Sequence, residues 1–376
     1  MPFFNETDAP NQAAHPPRLA SYVHSLEDSF RQNIPVTSVE FNPPPVSSME
    51  KQETAYWLDL AKPDKEDKTI LKGLRAKIKA LRRCHRIDSF ISVTDSAAGV
   101  LRLHNLSMIR LLTDSVFMDR HFKSAPLIWE PRRTIIHLTR NHDIAWLRSF
   151  LNACLRLNFK NLLVITGDPL KEIRLNPVTA AEAGVLSPDE ESSYRLKNSV
   201  ELLKFIATSF PQFYVGVGHN PFLNLTAAGN HLRRKAEAGA RYIITQPVSY
   251  YEECWRVIRT FESFRAESAI DIPVVLGVFN YYVPCGNLGF NPEEYVKKHR
   301  FWKKLFGFVP DGVRQDYEWG MNGIEILARS ITKLKRMGYY HFDVMNAERQ
   351  GWSVVINEQR LAHESNRIEG AFDLRG

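Results

Sequence analysis

Short runs of β-branched and aromatic residues recur along the chain, separated by longer stretches with a helical period. In order they are 35–41 (PVTSVEF), 89–94 (SFISVT), 134–139 (TIIHLT), 161–166 (NLLVIT), 212–217 (QFYVGV), 241–245 (RYIIT), 272–279 (IPVVLGVF) and 340–345 (YHFDVM). Most are continuously apolar rather than alternating, the pattern of strands covered by protein on both faces. Helical spacing of apolar residues marks 143–157, 196–208, 229–238, 250–264 and 321–336. Gly239 and Gly338 stand where a helix should end and the next strand begin. Eight β units alternating with helices predict an α/β fold, a (β/α)8 TIM barrel ahead of an open doubly wound sheet. No GxGxxG follows the first run, which counts against a dinucleotide-binding sheet.

The barrel is expected over residues 34–355, with an N-terminal extension (1–33, partly mobile) and a C-terminal tail (356–376). The connections 168–195 and 280–320 are long for barrel loops, and long βα loops usually shape a binding mouth. Composition adds little to this picture. The 376 residues are 44% hydrophobic and 24% charged, an ordinary globular mixture. No apolar run reaches the roughly 20 residues that span a bilayer, and the first residues lack the order of a signal peptide. Cys84, Cys154, Cys254 and Cys285 are scattered without a CxxC, which suits free thiols in a reducing cytoplasm and no metal site.

Charge changes the picture at one place. The net charge is +7, but residues 68–86 (KTILKGLRAKIKALRRCHR) carry eight Lys or Arg and no acid, and the rest nearly balances. That distribution argues against a nucleic-acid surface. The segment reads as an amphipathic helix with a solvated basic face; the less favoured alternative is a face that attracts a polyanionic ligand.

Chemistry in such a barrel sits at the C-terminal strand ends. Those ends offer Glu40, Thr94 with Asp95, His137 with Thr139, and Asp168. Later come His219 with Asn220, Gln246, Asn280 and Asn346. Capping of a following helix accounts well for Asp95, Asp168 and Asn220. Glu40 is different: Glu is a poor cap, and Phe41 with Pro43–Pro45 makes a stiff apolar setting that favours a protonated carboxyl. Glu40 therefore reads as a general acid.

VEFNPPP resembles the EFxPP opening of the methylenetetrahydrofolate reductase family, FISVTDSAAG its second-strand motif and IIHLT its third. VITGD is similar to its fourth, HLRRKAEAGARYIITQ to its helix and sixth strand, and HFDVMNAE to its closing strand. The resemblance implies a flavin-linked oxidoreductase that interconverts 5,10-methylenetetrahydrofolate and 5-methyltetrahydrofolate, with FAD and NADH or NADPH. It implies that Glu40 protonates pterin N5 and that Asp168 stabilises positive charge beside it. Gln246 and Asn346 would bind the folate. Thr94, His137, Thr166, His219, His231, Arg234 and Lys235 would lie along the FAD, with Arg234 and Lys235 toward its pyrophosphate; for those two a solvated helix face competes. Family members are often dimers or tetramers, which leaves a homo-oligomer open here; the charge distribution and the apolar runs give no nucleic-acid or membrane partner.

This chain departs from the pattern chiefly along the flavin. Thr166 stands where an Arg is usual, Gly218–His219 replace a Tyr, and Ala228 and His231 replace an Asp and an Asn. Pro247–Ser249 replace an aromatic run, and Ala347 an Arg. Several lost charge-assisted contacts, each worth about 1.5–3 kcal/mol, predict FAD binding weakened by orders of magnitude. His219, His231 or the basic segment are the residues placed to compensate. Two further readings follow: a flavin-independent folate enzyme of the same fold, and a non-catalytic folate-binding partner in one-carbon metabolism. The divergence also raises the oxidative direction in the cell.

Overall fold

The computed structural model describes residues 24–46, 49–84, 89–95, 100–167, 196–222, 225–283 and 290–346, without the side chains of 49, 83 and 225–228. Within them eight parallel strands close into a barrel in chain order. They are β1 Thr37–Phe41, β2 Phe90–Val93, β3 Thr134–Thr139, β4 Asn161–Ile165, β5 Tyr214–His219, β6 Tyr242–Thr245, β7 Val274–Phe279 and β8 Phe342–Met345. This is the (β/α)8 TIM barrel that the apolar runs predict. The seam closes with Ser38 of β1 opposite Asp343 of β8, while Glu40 lies opposite Ser92 of β2.

Alternation along each strand sorts the side chains. Val39, Phe41, Ile91, Val93, Ile136, Leu138, Leu162, Val164, Phe342 and Val344 face outward into one core shared with the helices. Phe90, Ile135, Leu163, Tyr242, Ile244 and Val275 pack in a separate inner cluster. Fully burying one such side chain stabilises by about 1.5–3 kcal/mol, so the far more populous outer shell carries most of the hydrophobic stabilisation. Both faces of the strands are therefore covered, which is why the runs read as continuously apolar.

The N-terminal end of the barrel is plugged by helix Leu26–Arg31. Ser25 and Asp28 form a capping box at its start, Leu26 is fully buried, and the Phe30 ring meets His341 edge-on at 5.1 Å. The last part of the expected extension is thus built into the barrel floor; residues 1–23, and residues 347–376 with the expected tail 356–376 among them, lie outside the described residues. Gly239 and Gly338 follow their helices with φ of +102° and +92°, the left-handed conformation that Gly adopts most easily.

The long 280–320 connection is in good part helical, and it does contribute to the mouth. It holds helices Pro292–Phe306 and Gly312–Glu318, the first capped by Asn291, whose Oδ1 accepts from the Glu294 N–H at 3.1 Å. Residues 68–84 of the basic segment lie in helix Lys65–Cys84, with Leu71, Leu74, Ile78 and Leu81 buried, and 85–86 lie outside the described residues. Some of its cations tie down neighbouring loops: Lys77 donates to the Asn42 carbonyl at 2.8 Å and Arg75 to that of His121 at 3.3 Å. Cys84, Cys154 and Cys254 are buried free thiols, and Cys285 lies outside the described residues. Among the described residues no helix is long and apolar enough to cross a membrane.

Candidate functional site

A cavity of about 510 Å³ opens at the C-terminal end of the strands. It gathers Glu40, Thr94, His137, Thr166, His219, His231, Lys235, Gln246 and Asn346, residues drawn from eight separate stretches of sequence. Every candidate site residue within the described part lines it except Arg234. Asp168 lies outside the described residues. Arg234 is exposed, whereas Lys235 beside it is 4% exposed. Successive helix residues point about 100° apart, so only one of the two can face the barrel.

The polar side of the mouth comes from β1, β2, β3 and β8. Glu40 ends the inward row of β1, half-buried. Thr94 donates from Oγ1 to Asn42 Oδ1 at 2.9 Å, which ties the loop after β1 to the end of β2. Arg102 donates to the Pro43 carbonyl at 2.7 Å and forms part of the same rim. His137 of β3 sits 2.5 Å from Ser92 Oγ, and burial lowers its pKa to about 4, with the Asp95 charge opposing. The ring is therefore a neutral imidazole at physiological pH, a hydrogen-bonding group rather than a cation.

Asp95 does not cap the next described helix, whose N-cap is His104. Its Oδ2 instead accepts from the Thr139 N–H at 3.0 Å, the Thr139 hydroxyl at 2.8 Å and His142 Nε2 at 2.9 Å. Burial by itself would raise the pKa of this carboxyl, but the His142 and Thr139 contacts outweigh it and hold the value at about 2. The His142 ring stacks on Trp146 at 3.8 Å. Thr139 in turn supports the turn after β4: a Cβ on Gly167 would lie 2.8 Å from Thr139 Cβ, and Gly167 has φ +75°. The glycine of the VITGD motif is thus required by both space and backbone.

The opposite wall is apolar. Leu163, Ile165, Ile244, Phe279 and Met345 line it from the strands, and Phe301, Leu305 and Phe306 add a shelf from helix Pro292–Phe306. Phe301 is 52% exposed at the rim. A planar ring could lie against that shelf with its hydrogen-bonding edge toward the polar side.

Lys235 supplies the buried cation. Its ammonium donates to the Gly218 carbonyl at 2.5 Å, and among the described residues no carboxylate pairs with it. Burial pushes its pKa down to about 8. An unneutralised buried ammonium with spare donors suits an anionic ligand group. His219 stacks on Phe261 at 4.9 Å, and burial and the neighbouring Lys235 and His231 charges bring its pKa to about 3. Its ring is occupied and neutral, so it adds no charge toward a phosphate. His231 is likewise lowered, by burial first and by Lys235 and Arg234 next. Thr166 is exposed, and its hydroxyl donates to Ser199 Oγ at 3.2 Å. Asn346, in the left-handed region at φ +52°, donates its amide to the Asn280 carbonyl at 2.8 Å, while Asn280 donates back to the Asn346 carbonyl at 3.3 Å. This pair clips β7 to β8 at the rim.

The residues that sequence reasoning did not single out are Asn42, Arg102, Asp343 and the aromatic shelf. Asp343 carried a legible signal, a lone acid inside an apolar strand run. Arg102 and the shelf carried none. Among the described residues no cluster of three or more His, Cys, Asp or Glu is placed to hold a metal ion.

Comparison with known proteins gives one family match. The sequence profile described as methylenetetrahydrofolate reductase matches residues 45–357, most of the chain. Among solved structures, an uncharacterized protein from Clostridium thermocellum that binds two copies of 5-methyl-5,6,7,8-tetrahydrofolic acid is 12% identical, with a TM-score of 0.48. The match covers 88% of this chain and 97% of that one. A protein described as QR15, an aldolase, is 11% identical with a TM-score of 0.30, covering 60% of this chain and 79% of that one.

Proposed function

The chain belongs to the methylenetetrahydrofolate reductase family, and from that membership and the make-up of the mouth we propose that it interconverts 5,10-methylenetetrahydrofolate and 5-methyltetrahydrofolate, with FAD and NAD(P)H. The observation that carries the proposal is the meeting of Glu40, Gln246 and Lys235 in one cavity from β1, the end of β6 and the helix before β6. The family match begins at residue 45, so the role given to Glu40 rests on its place at that mouth.

The residues fit FAD in part. Lys235 offers the cation for the pyrophosphate, the neutral His137 and Thr94 offer hydrogen bonds, and the apolar shelf offers a face for the ring. When bound, FAD would supply the hydride that reduces the methylene carbon. The chain's own residues do the rest. Glu40 supplies the proton that N10 takes up as the bond from the bridging carbon to N10 breaks. The five-membered ring opens to an iminium on N5, and hydride added to its carbon gives the 5-methyl product, so the proton belongs on N10 rather than on N5. Gln246 presents a donor and an acceptor to the pterin edge and fixes which ring atom meets the acid. The apolar wall excludes water while the iminium exists.

One observation favours a second reading, a folate enzyme that holds flavin weakly or works without it. Arg234 is exposed, His219 and His231 are held toward neutrality, and Lys235 is the cation left at the mouth beside the rim-bound Arg102. One experiment separates the readings. The purified protein is stripped of flavin, titrated with FAD by absorbance, and assayed anaerobically with methylenetetrahydrofolate and NADH or NADPH in both forms. Turnover that requires FAD, and that Glu40→Gln lowers by about 10²–10⁴ without loss of folate binding, is expected. Equal turnover by the stripped protein selects the second reading, and an absence of folate binding in any form refutes both.

A further inference from the structure

Below the level of Glu40 the lumen holds a second acid. Asp343 points inward from β8, between the outward Phe342 and Val344, and is wholly buried. It lines the deepest part of the mouth with Leu163 and Ile244. Ser38, its register partner across the β1–β8 seam, donates from Oγ to Asp343 Oδ1 at 2.6 Å. Oδ2 is buried and has no hydrogen-bond partner among the described residues. A carboxyl left half-satisfied in an apolar setting is a cost that packing alone does not recover, since an apolar side chain there would be more stable.

The contact with Ser38 indicates which form of the acid is present. The serine has one proton, and among the described residues its close acceptor is Oδ1; the other candidate, the Phe342 carbonyl, is 3.5 Å away. An O–H···O separation of 2.6 Å is in the range for a hydroxyl donating to an ionised carboxylate. Burial pushes the pKa of the carboxyl up to about 6 against the Ser38 contact, which still leaves the ionised form in the majority at pH 7. The unpartnered oxygen is then an acceptor, complementary to an N–H.

We propose that Asp343, held by Ser38, reads the ligand at the floor of the mouth by accepting an N–H from a planar nitrogen heterocycle through Oδ2. The inference rests on the functional reading above, which puts two such rings at this mouth. Both the isoalloxazine and the pteridine carry N–H donors on a lactam edge, and the test distinguishes them. A ligand with an acceptor at that position would face the carboxylate lone pairs and be rejected.

The test compares wild-type protein with Asp343→Leu and Ser38→Ala. FAD binding is followed by flavin fluorescence and tetrahydrofolate binding by calorimetry, with the thermal midpoint of each unliganded protein measured alongside. Asp343→Leu should lose about 30-fold or more in affinity for at least one ligand, as expected for one charge-assisted hydrogen bond. Its unliganded midpoint should equal or exceed the wild type's, because leucine matches the apolar neighbours. Ser38→Ala should weaken the same ligand less. Loss on FAD assigns the N–H to the flavin, and loss on tetrahydrofolate assigns it to the pteridine. Affinities unchanged within threefold overturn the proposal, as does a lowered midpoint in Asp343→Leu, which would make the acid structural. Wild-type protein that binds neither ligand defeats the functional reading itself, and the proposal with it.

Discussion

Replacing Asp95 by Asn tests the brace that holds the ends of β2 and β3 together. The carboxylate accepts three hydrogen bonds on one oxygen, two from Thr139 and one from His142. Its pKa falls from an ordinary 3.8 to about 2 in the folded protein. That depression corresponds to about 2 kcal/mol of stability at neutral pH. The sign follows from the direction: the folded state prefers the ionised acid, so the contribution is complete above the unfolded pKa and is lost as pH falls through the folded one. An asparagine keeps the shape but neither the charge nor the titration. Urea unfolding followed by tryptophan fluorescence should find Asp95→Asn about 2 kcal/mol less stable at pH 7 and about 1 kcal/mol less at pH 3. For a chain of this length the thermal midpoint should drop by about 3 °C. A deficit near zero at pH 7, or one as large at pH 3 as at pH 7, would refute the assignment of Asp95 as an ionised brace.

Two further perturbations follow from the same geometry. Lys235→Met should weaken FAD binding by about tenfold at pH 7; because the lysine pKa sits near about 8, wild-type affinity should itself decline as pH rises from 7 to 9 while the variant's stays flat, as read by fluorescence titration. Gly216→Ala would put a Cβ 2.2 Å from the Tyr242 ring, whose hydroxyl donates to the Leu162 carbonyl inside the barrel. Overpacking there should cost about 1–3 kcal/mol in urea unfolding, and an unchanged midpoint would show that the ring has room to move.

The barrel was legible because the strands are buried on both sides. All eight apolar runs became strands, with ends shifted by no more than two or three residues. Short helices were harder to read. Leu26–Arg31 and Gly312–Glu318 span too little sequence to show a period. Helix Pro292–Phe306 could have been found from its start, where Asn291 precedes Pro292, Glu293 and Glu294, the order of an N-cap, a first-turn proline and first-turn acids. The whole 280–320 stretch was read only as a long connection instead. In the site, residues at strand ends were found because the topology fixes where strand ends go. Arg234 and Lys235 could not be told apart, since that choice depends on how the helix is turned against β5 and β6.

The lumen's division was hidden for a further reason. Alternation along one strand says which residues share a face, but not which face is the lumen or what stands across it. The inward positions of β1, β2, β3 and β8 include Ser38, Glu40, Ser92, His137 and Asp343 beside the apolar Phe90, Ile135 and Met345, while β4, β6 and β7 contribute Leu163, Ile165, Ile244, Val275 and Phe279. Ser38 and Asp343 are 305 positions apart in the chain and meet only when the seam closes. Polar groups on one side and apolar groups on the other give the mouth a direction. A planar heterocycle entering it meets Glu40, His137 and Asp343 toward β1–β3 and β8, with Gln246 and Lys235 added from the β6 side, and can bury a ring face toward the apolar residues of β4, β6 and β7 and the shelf. That asymmetry orients a ligand before any single contact is considered, and it makes an inward polar residue on the β8 side the place where a substitution should change which ring is accepted.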